Sequence, residues 1–435
     1  MSDRQVPDTW QLRRLGDCLT LQNGHAFKQT DWSKSGDPII RIQNLNATRG
    51  AAFNYYEGEL PERFRARQGD LLFAWSGTPG TSFGAHVWDG GDAWINQHIF
   101  RVGFSHEDFD RDFLRLALNF NLGAYVAGAQ GGVGLAHITK AKLNDSLLVA
   151  PPLIEQRDIA RAISAAEEKR HSAIVRLQSA RRVVGRLHRA VLAAACSGRL
   201  TADWRALRRN ETWAETGSTT PLIDAPDEWS WTTLGEIAAI QGGIQVGAKR
   251  RPGEALREVP YLRVANVQRG WLDLKEVKTI LATEAKIAAL ALQPGDIFFN
   301  EGGDRDKLGR GWVWEGQLPE CIHQNHVFRA RLHDPAAQPR FYSWFGNTFG
   351  MLYFFDEGKQ TVNLASLSKS KLSSLPVPLP EVEEQAEIVR RVDILLSVAH
   401  QLAGRIDAAT AQVERTQGAV ITKAFRGELS GAGAR

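Results

Sequence analysis

The chain has 435 residues, 43% of them hydrophobic and 23% charged, a balance that excludes wholesale disorder, and no run approaches the ~18 apolar residues of a membrane-spanning helix. Cys18, Cys196 and Cys321 lie far apart with no C-x-x-C, which argues against a disulfide framework or a cysteine zinc site and fits a reducing cytoplasm; the N-terminus shows no apolar signal region. With 53 Lys and Arg against 49 Asp and Glu, the net charge of +4 permits nucleic-acid binding without establishing it.

Taken in order, the chain repeats itself. Pro7-Asp8-Thr9-Trp10 and Leu15-Gly16-Asp17 return as Pro226-Asp227-Glu228-Trp229 and Leu234-Gly235-Glu236. Pro38-Ile39-Ile40-Arg41-Ile42-Gln43-Asn44 returns as Pro260-Tyr261-Leu262-Arg263-Val264-Ala265-Asn266, and Gly69-Asp70-Leu71-Leu72-Phe73 as Gly295-Asp296-Ile297-Phe298-Phe299. His98-Ile99-Phe100-Arg101 matches His326-Val327-Phe328-Arg329. Lys140-Ala141-Lys142-Leu143 matches Lys369-Ser370-Lys371-Leu372, Glu155-Gln156 matches Glu384-Gln385, and Gly198-x-Leu200 matches Gly427-x-Leu429. Matched blocks in one order establish a duplication.

Each repeat opens with a head of mixed character. Short β-type runs such as Leu71–Trp75 and Ile95–Val102 alternate with Gly-rich loops and a short helix over Asp110–Phe120. A long helical stretch follows, announced by Pro151-Pro152 in one repeat and by Pro376 to Pro380 in the other. The boundaries read as a first head over 1–150, a long helix and its end over 151–205, a linker over 206–225, a second head over 226–378, and a second long helix with a C-terminal tail over 379–435.

The helices carry a 3.5-residue period. Steps of four and three from Ile159 reach Ile163, Ala166, Arg170, Ala173, Leu177, Ala180, Val184, Leu187, Val191 and Ala194. Steps from Ile388 reach Val392, Leu395, Ala399, Leu402, Ile406, Ala409, Val413, Thr416 and Val420. Arg170 and Thr416 alone interrupt the two stripes, so both read as coiled-coil seams. Residues 155–195 make a rod of about 60 Å. The first helix starts at the first head and ends where the second begins, and the second helix starts at the second head. If the seams pair, the helices run antiparallel, the heads sit at opposite ends and a pseudo-two-fold axis relates the repeats. The alternative is that each helix packs on its own head. Charge is uneven: residues 155–209 hold 13 Arg and Lys against 5 Asp and Glu, whereas 381–426 hold 6 against 7. The basic helix lies near DNA or simply presents a solvated face.

Pro-Asp-x-Trp with Leu-Gly, Arg41-Ile42-x-Asn44, the Gly69-Asp70 strand, Pro-x-x-x-Glu-Gln opening a long helix and Ala424-Phe425-Arg426-Gly427-Glu428-Leu429 together resemble the specificity (S) subunit of type I restriction–modification systems. The stretch from Cys196 to Arg205 is similar to the segment after the central helix in that family. The resemblance implies an α+β fold: two globular α/β target-recognition domains separated by two long helices that form an antiparallel coiled coil, in a pseudo-two-fold internal repeat. It implies a non-catalytic subunit that reads bipartite double-stranded DNA, one half-site per head, with the coil setting the spacer. It implies two adenine-methylating (M) subunits and, through the complex, restriction (R) subunits as partners, with S-adenosylmethionine, ATP and Mg on those partners and no cofactor or metal on this chain. No membrane partner is expected. The alternative is an antiparallel-coil adaptor whose heads bind proteins.

Residues shared by both heads cannot tell one half-site from the other. Arg41 and Asn44 with Arg263 and Asn266, and Lys140 and Lys142 with Lys369 and Lys371, therefore read as fold, phosphate or subunit contacts, and Gln43, which stands against Ala265, is a further DNA-contact candidate. For Asn44 and Asn266, a turn after a strand and a DNA contact stay equally open. Base readout belongs where the heads diverge. Ser76 to Ser82, with Ser76, Thr78 and Thr81, stands against Glu301 to Gly311, with Arg305, Lys307 and Arg310. Asn23–Lys28 stands against Gly243–Arg251, and Gln130–Leu135 against Lys359–Asn363, which contribute Lys28, the Lys249-Arg250-Arg251 phosphate clamp, and Lys359, Gln360 and Asn363.

Other motifs point elsewhere and fail. Gly80-Thr81-Ser82-Phe83-Gly84 matches the G-x-S-x-G elbow, but a strand-like stretch follows where a helix is required. Asp227 with Glu276 and Lys278 mimics a nuclease set, yet Pro226-Asp227 is the repeat-start motif. His323 and His326, placed on one strand, would face opposite sides and do not complete a metal site.

Overall fold

The computed structural model describes residues 7–45, 52–77, 83–127, 136–208, 222–247, 253–303, 308–357, 359–361 and 364–429. The fold is α+β, with two sheet-rich units and two long helices, Leu153–Cys196 and Val382–Ala424. The first unit comprises residues 1–177 and 408–435, and the second comprises 178–407. Each unit therefore contains part of both helices.

In the first unit, a four-stranded antiparallel sheet runs Leu19–Asn23, Ile99–Phe104, Leu71–Ala74, Gly84–Val87 in spatial order. A second four-stranded sheet orders Asn54–Tyr56, Asp37–Ile40, Ala93–Ile95, Arg65–Ala66, with the middle pair parallel. Leu71 to Ala74 are all buried, as a strand covered on both faces requires. The expected single run Ile95–Val102 is two strands in two different sheets. Asn96, Gln97 and His98 make the turn between them, where Asn96 N–H donates to Ile40 O and Ile99 N–H to Asn96 O. The short helix spans Arg111–Phe120, and Asp110 is its N-cap, with its carboxylate accepting from Asp112 and Phe113 N–H.

The second unit repeats the plan. Ala238–Gln241, Val327–Leu332 and Ile297–Asn300 form an antiparallel sheet, and Arg257–Leu262 pairs with Lys278–Ala282 and, in parallel, with Ile322–His323. His323 and His326 therefore do not share a strand. His323 is fully buried with Nδ1 on Val327 O, while His326 stands outside at the start of Val327–Leu332.

Neither helix packs solely on its own head. In the first unit, Ile159 and Ile163 of the first helix share a core with Ala424 and Phe425 at the end of the second, and Phe425 stacks on Phe120 at 4.6 Å. In the second unit, Val191 and Ala195 share a core with Ile388 and Val392. Within each unit the start of one helix lies beside the end of the other, so the pairing is antiparallel. A groove of about 300 Å³ in the first unit has Ile163, Ala166, Arg170 and Ala173 on one side and Val413, Thr416, Val420 and Ile421 on the other. There the small side chains leave the seam unfilled.

The strict heptad needs correction at three positions. Leu187, Leu395 and Leu402 are 40%, 36% and 40% exposed, while His188, Leu396 and Ala403, one residue on, are better covered. An unsupercoiled helix has 3.6 residues per turn, so an apolar face counted at 3.5 drifts by about 20° per heptad. Leu177, Val184, Ile406 and Val413 remain partly covered.

Candidate nucleic-acid interface

Each head is held by the same clasp. Trp10 Nε1 donates to Glu155 Oε2 at 2.8 Å, and Trp229 Nε1 donates to Glu384 Oε2 at 2.8 Å. The neighbouring glutamines finish the helix starts. Gln156 accepts from Asp110 N–H and donates to Asp108 O and Pro151 O, and Gln385 accepts from Gln338 N–H and donates to Pro380 O. The Pro-Asp-x-Trp and Glu-Gln motifs are thus two ends of one contact. The Gly-x-Leu motifs complete it. Gly198 has φ +71° and an added Cβ would lie 2.4 Å from Pro226; Gly427 has φ +73° and would meet Pro7 at the same distance. In the second unit, Glu384 is 0% exposed and also accepts from Thr201 Oγ1 at 2.6 Å and from Arg205. Pro226-Asp227 is accordingly a structural start, and Glu276 stands beside Arg263 and Lys278 as an ion-pair partner.

The described residues at and beside the divergent segments meet at one end of each head. In the first, Gly24 N–H donates to Ile99 O, His25 bridges Asn96, Trp75 N–H donates to His98 O, and Ser76-Gly77 pairs with Ala136-His137. In the second, Ile244 bridges Gln324, Glu301 N–H donates to His326 O, and Gly302-Gly303 pairs with Ala365-Ser366. The carbonyls match too: Ile138 N–H donates to Trp75 O and Leu367 N–H to Glu301 O. Position 75 in one head is therefore position 301 in the other. A further repeated brace escaped sequence reasoning. Asn119 binds both backbone groups of Ala85, and Asn347 binds both of Gly311. Its signal was a lone Asn at equal depth in both heads, outside any matched block.

Close backbone approach explains the glycines here. A Cβ on Gly24 would fall 2.3 Å from Ile95 O, and one on Gly243 would fall 1.9 Å from His323 O. The glycines therefore let the chain at Gly24 and at Gly243 run close under the sheet end.

The candidate residues divide by what holds them. Asn44 and Asn266 are buried turn staples: Asn44 Oδ1 accepts from Arg41 N–H and Asn266 Oδ1 from Arg263 N–H, while Asn266 Nδ2 donates to Asp273 O and Glu276 O. Their amides are occupied by the fold, as the turn reading expects. Ser76 is also buried, in a strand pair. Lys140 turns its ammonium to Leu21 O at 2.6 Å, a structural contact. Arg41 donates to Asn54 and lies over Trp32 at 5.0 Å, and Arg310 donates to Gln268. Lys28, Gln43, Lys369 and Lys371 are exposed and Lys142 is half-buried. Lys359 and Gln360 lie on the strand Lys359–Thr361. Thr78, Thr81, Lys249, Arg250, Arg251, Arg305, Lys307 and Asn363 lie outside the described residues.

At the centre of each end stand residues that sequence reasoning passed over. In the first head, His98 sits 5.1 Å from Trp75, whose indole N–H is occupied by Gln97 O, and His137 lies 6.2 Å from the same indole. Burial, followed by the neighbouring His137, lowers the His98 pKa. In the second head, His326 Nδ1 lies 2.6 Å from Glu301 Oε2. Among the described residues no helix is long and apolar enough to cross a membrane.

Residues 7–174 match the model of the type I restriction modification DNA specificity domain. The chain is 28% identical over 433 residues to the Escherichia coli type I restriction enzyme EcoBI specificity subunit, covering 98% of this chain and 87% of that protein. It is 26% identical to the EcoKI specificity subunit of Escherichia coli strain K12, covering 99% and 91%. Among solved structures, the Thermoanaerobacter tengcongensis HsdS subunit aligns with a TM-score of 0.58 at 18% identity, covering 97% of this chain and 98% of that one. A chain from a structural study of type I R-M complex assembly and conformational transition aligns with a TM-score of 0.67 at 20% identity, covering 97% and 99%. These structures share the fold.

Proposed function

We propose, from the premise that the chain belongs to the specificity subunits of type I restriction–modification systems, that it reads a bipartite DNA sequence, each head taking one half-site and the paired helices setting the spacer. The observation that carries this is the duplicated head, in each copy of which the described residues at and beside the divergent segments gather at one end. Equal scaffolds with unlike tips suit a target of two unlike halves.

The chain itself is non-catalytic in this reading. Two methyltransferase subunits bring S-adenosylmethionine, and restriction subunits bring ATP and Mg chemistry. Ile394, Val398 and Leu402, spaced four apart, leave an exposed apolar stripe on the second long helix, and Val183 and Leu187 do the same on the first. Such faces suit protein partners more than water. Co-expression with the cognate methyltransferase subunit tests the proposal. Adenine methylation at a discontinuous site is expected; no methylation, or methylation of a continuous site, refutes it. Protein-binding heads are the competing reading, and sequence-selective, salt-dependent DNA binding by the assembled complex separates the two.

A further inference from the structure

Comparing the two heads position by position isolates one difference at the shared end. A histidine occupies the same place in each, His98 and His326, and each accepts the same backbone N–H from the residue across the sheet. That residue is Trp75 in one head and Glu301 in the other. Residues common to both heads carry no discrimination by themselves, but a common histidine held by unlike partners does.

In the second head, Glu301 Oε2 lies 2.6 Å from His326 Nδ1. The carboxylate accepts, so in the neutral ring Nδ1 carries the proton and Nε2 keeps a lone pair. Asn325 Nδ2 stands at Nε2 at a long 3.4 Å, as Gln97 Nε2 stands 3.3 Å from His98 Nε2 in the first head, so a base amine would displace that amide to reach the ring nitrogen. The His326 side chain is 55% exposed and that of Glu301 28%, so the imidazole is presented outward and the carboxylate stands behind it. An outward acceptor at this end matches the exocyclic amine that cytosine or adenine offers in the major groove. In the first head, the indole takes the place of the carboxylate. Its N–H is occupied by Gln97 O at 3.1 Å, and His98 Nδ1 is buried without a hydrogen-bond partner among the described residues. Trp75, His98 and His137 there group three rings, with His98 and His137 at 5.1 and 6.2 Å from the indole, a surface for a thymine methyl.

We infer that the residue at position 75 or 301 sets base preference through the shared histidine: Glu301 positions His326 to accept from a base amine in the second half-site, and Trp75 with His98 makes an apolar contact in the first. This rests on the DNA-reading function proposed above. The chemistry does not depend on the charged residues of the divergent segments.

The test uses the full chain assembled with its methyltransferase subunits, and duplex libraries randomised in one half-site at a time, read by methylation. Glu301→Gln offers His326 a donor as well as an acceptor and frees the ring to adopt either tautomer. It should relax discrimination at one base pair of the second half-site by about tenfold, leaving the first half-site and the spacer unchanged. His326→Gln, which keeps Glu301, should change preference at that same base pair. Trp75→Ala should weaken a thymine preference at one base pair of the first half-site only. Uniform weakening over all positions, or unchanged preference at every position, overturns the inference while leaving bipartite reading intact. A wild-type complex that yields no discontinuous motif overturns both.

Discussion

Removing Glu384 should damage the second unit far more than removing Glu155 damages the first. The two carboxylates hold the same tryptophan clasp in different surroundings. Glu155 is half-buried and, among the described residues, accepts one hydrogen bond, from Trp10. Glu384 is completely buried and takes Trp229, Thr201 and Arg205, while Arg205 also donates to Gly198 O at 2.6 Å and lies over Trp229 at 5.7 Å. Glu384→Ala leaves a buried guanidinium without its counter-ion, an effect of about 3–5 kcal/mol. Glu155→Ala loses one partly solvated hydrogen bond, about 1 kcal/mol. Replacing both Arg205 and Glu384 by leucine removes the orphaned charge and should restore much of the loss. Hydrogen exchange of the intact chain, followed on peptides from 229–241 and from 10–23, measures each unit separately. Equal loss of protection in Glu384→Ala and Glu155→Ala would refute the reasoning.

Three more expectations follow from particular contacts. His323 is buried and its pKa is pushed down to about 4, chiefly by desolvation. The unfolded chain then binds a proton that the folded one refuses, so stability is full above about 6.5 and falls as pH drops towards 4, by about 3 kcal/mol; denaturation at pH 7 and 4.5 should show this slope, and His323→Gln should remove it. Gly198→Ala and Gly427→Ala force a Cβ against Pro226 and Pro7 from left-handed backbone and should each cost about 1–3 kcal/mol, read as a lowered melting temperature; no change would mean that the turns relax freely. Deleting one heptad from each helix, within 178–192 and within 392–407, should change the spacer in the methylated motif without changing either half-site; an unchanged spacer with intact methylation would contradict a measuring role for the helices.

The duplicated plan was legible because backbone constraints repeat with it. The Gly-Asp strand starts, the helix-opening prolines and the Glu-Gln pair all recur, and each proved to hold a corresponding turn or cap. What linked them was hidden. Nothing in Pro-Asp-x-Trp says that its indole bonds to a carboxylate 145 residues on, as Trp10 does with Glu155. The seam was read at the right faces but in too rigid a count, so Leu187, Leu395 and Leu402 were placed inside. Among the reader candidates, residue type alone could not separate an amide occupied by a turn, as in Asn44 and Asn266, from one turned outward. His326 was visible, but only as half of a failed metal pair. Its partner Glu301 lies 25 residues away and meets it only when two strands pair.

The placement of Ala424 and Phe425 within the first unit's core has a consequence for biosynthesis. Residues 408–429 leave the ribosome after every residue of the second unit. Phe113 and Phe120 must therefore wait, through the whole translation of that unit, for the ring that covers them. The earlier-made head is the later to be finished, and its uncovered aromatic floor is the nascent chain's most exposed liability.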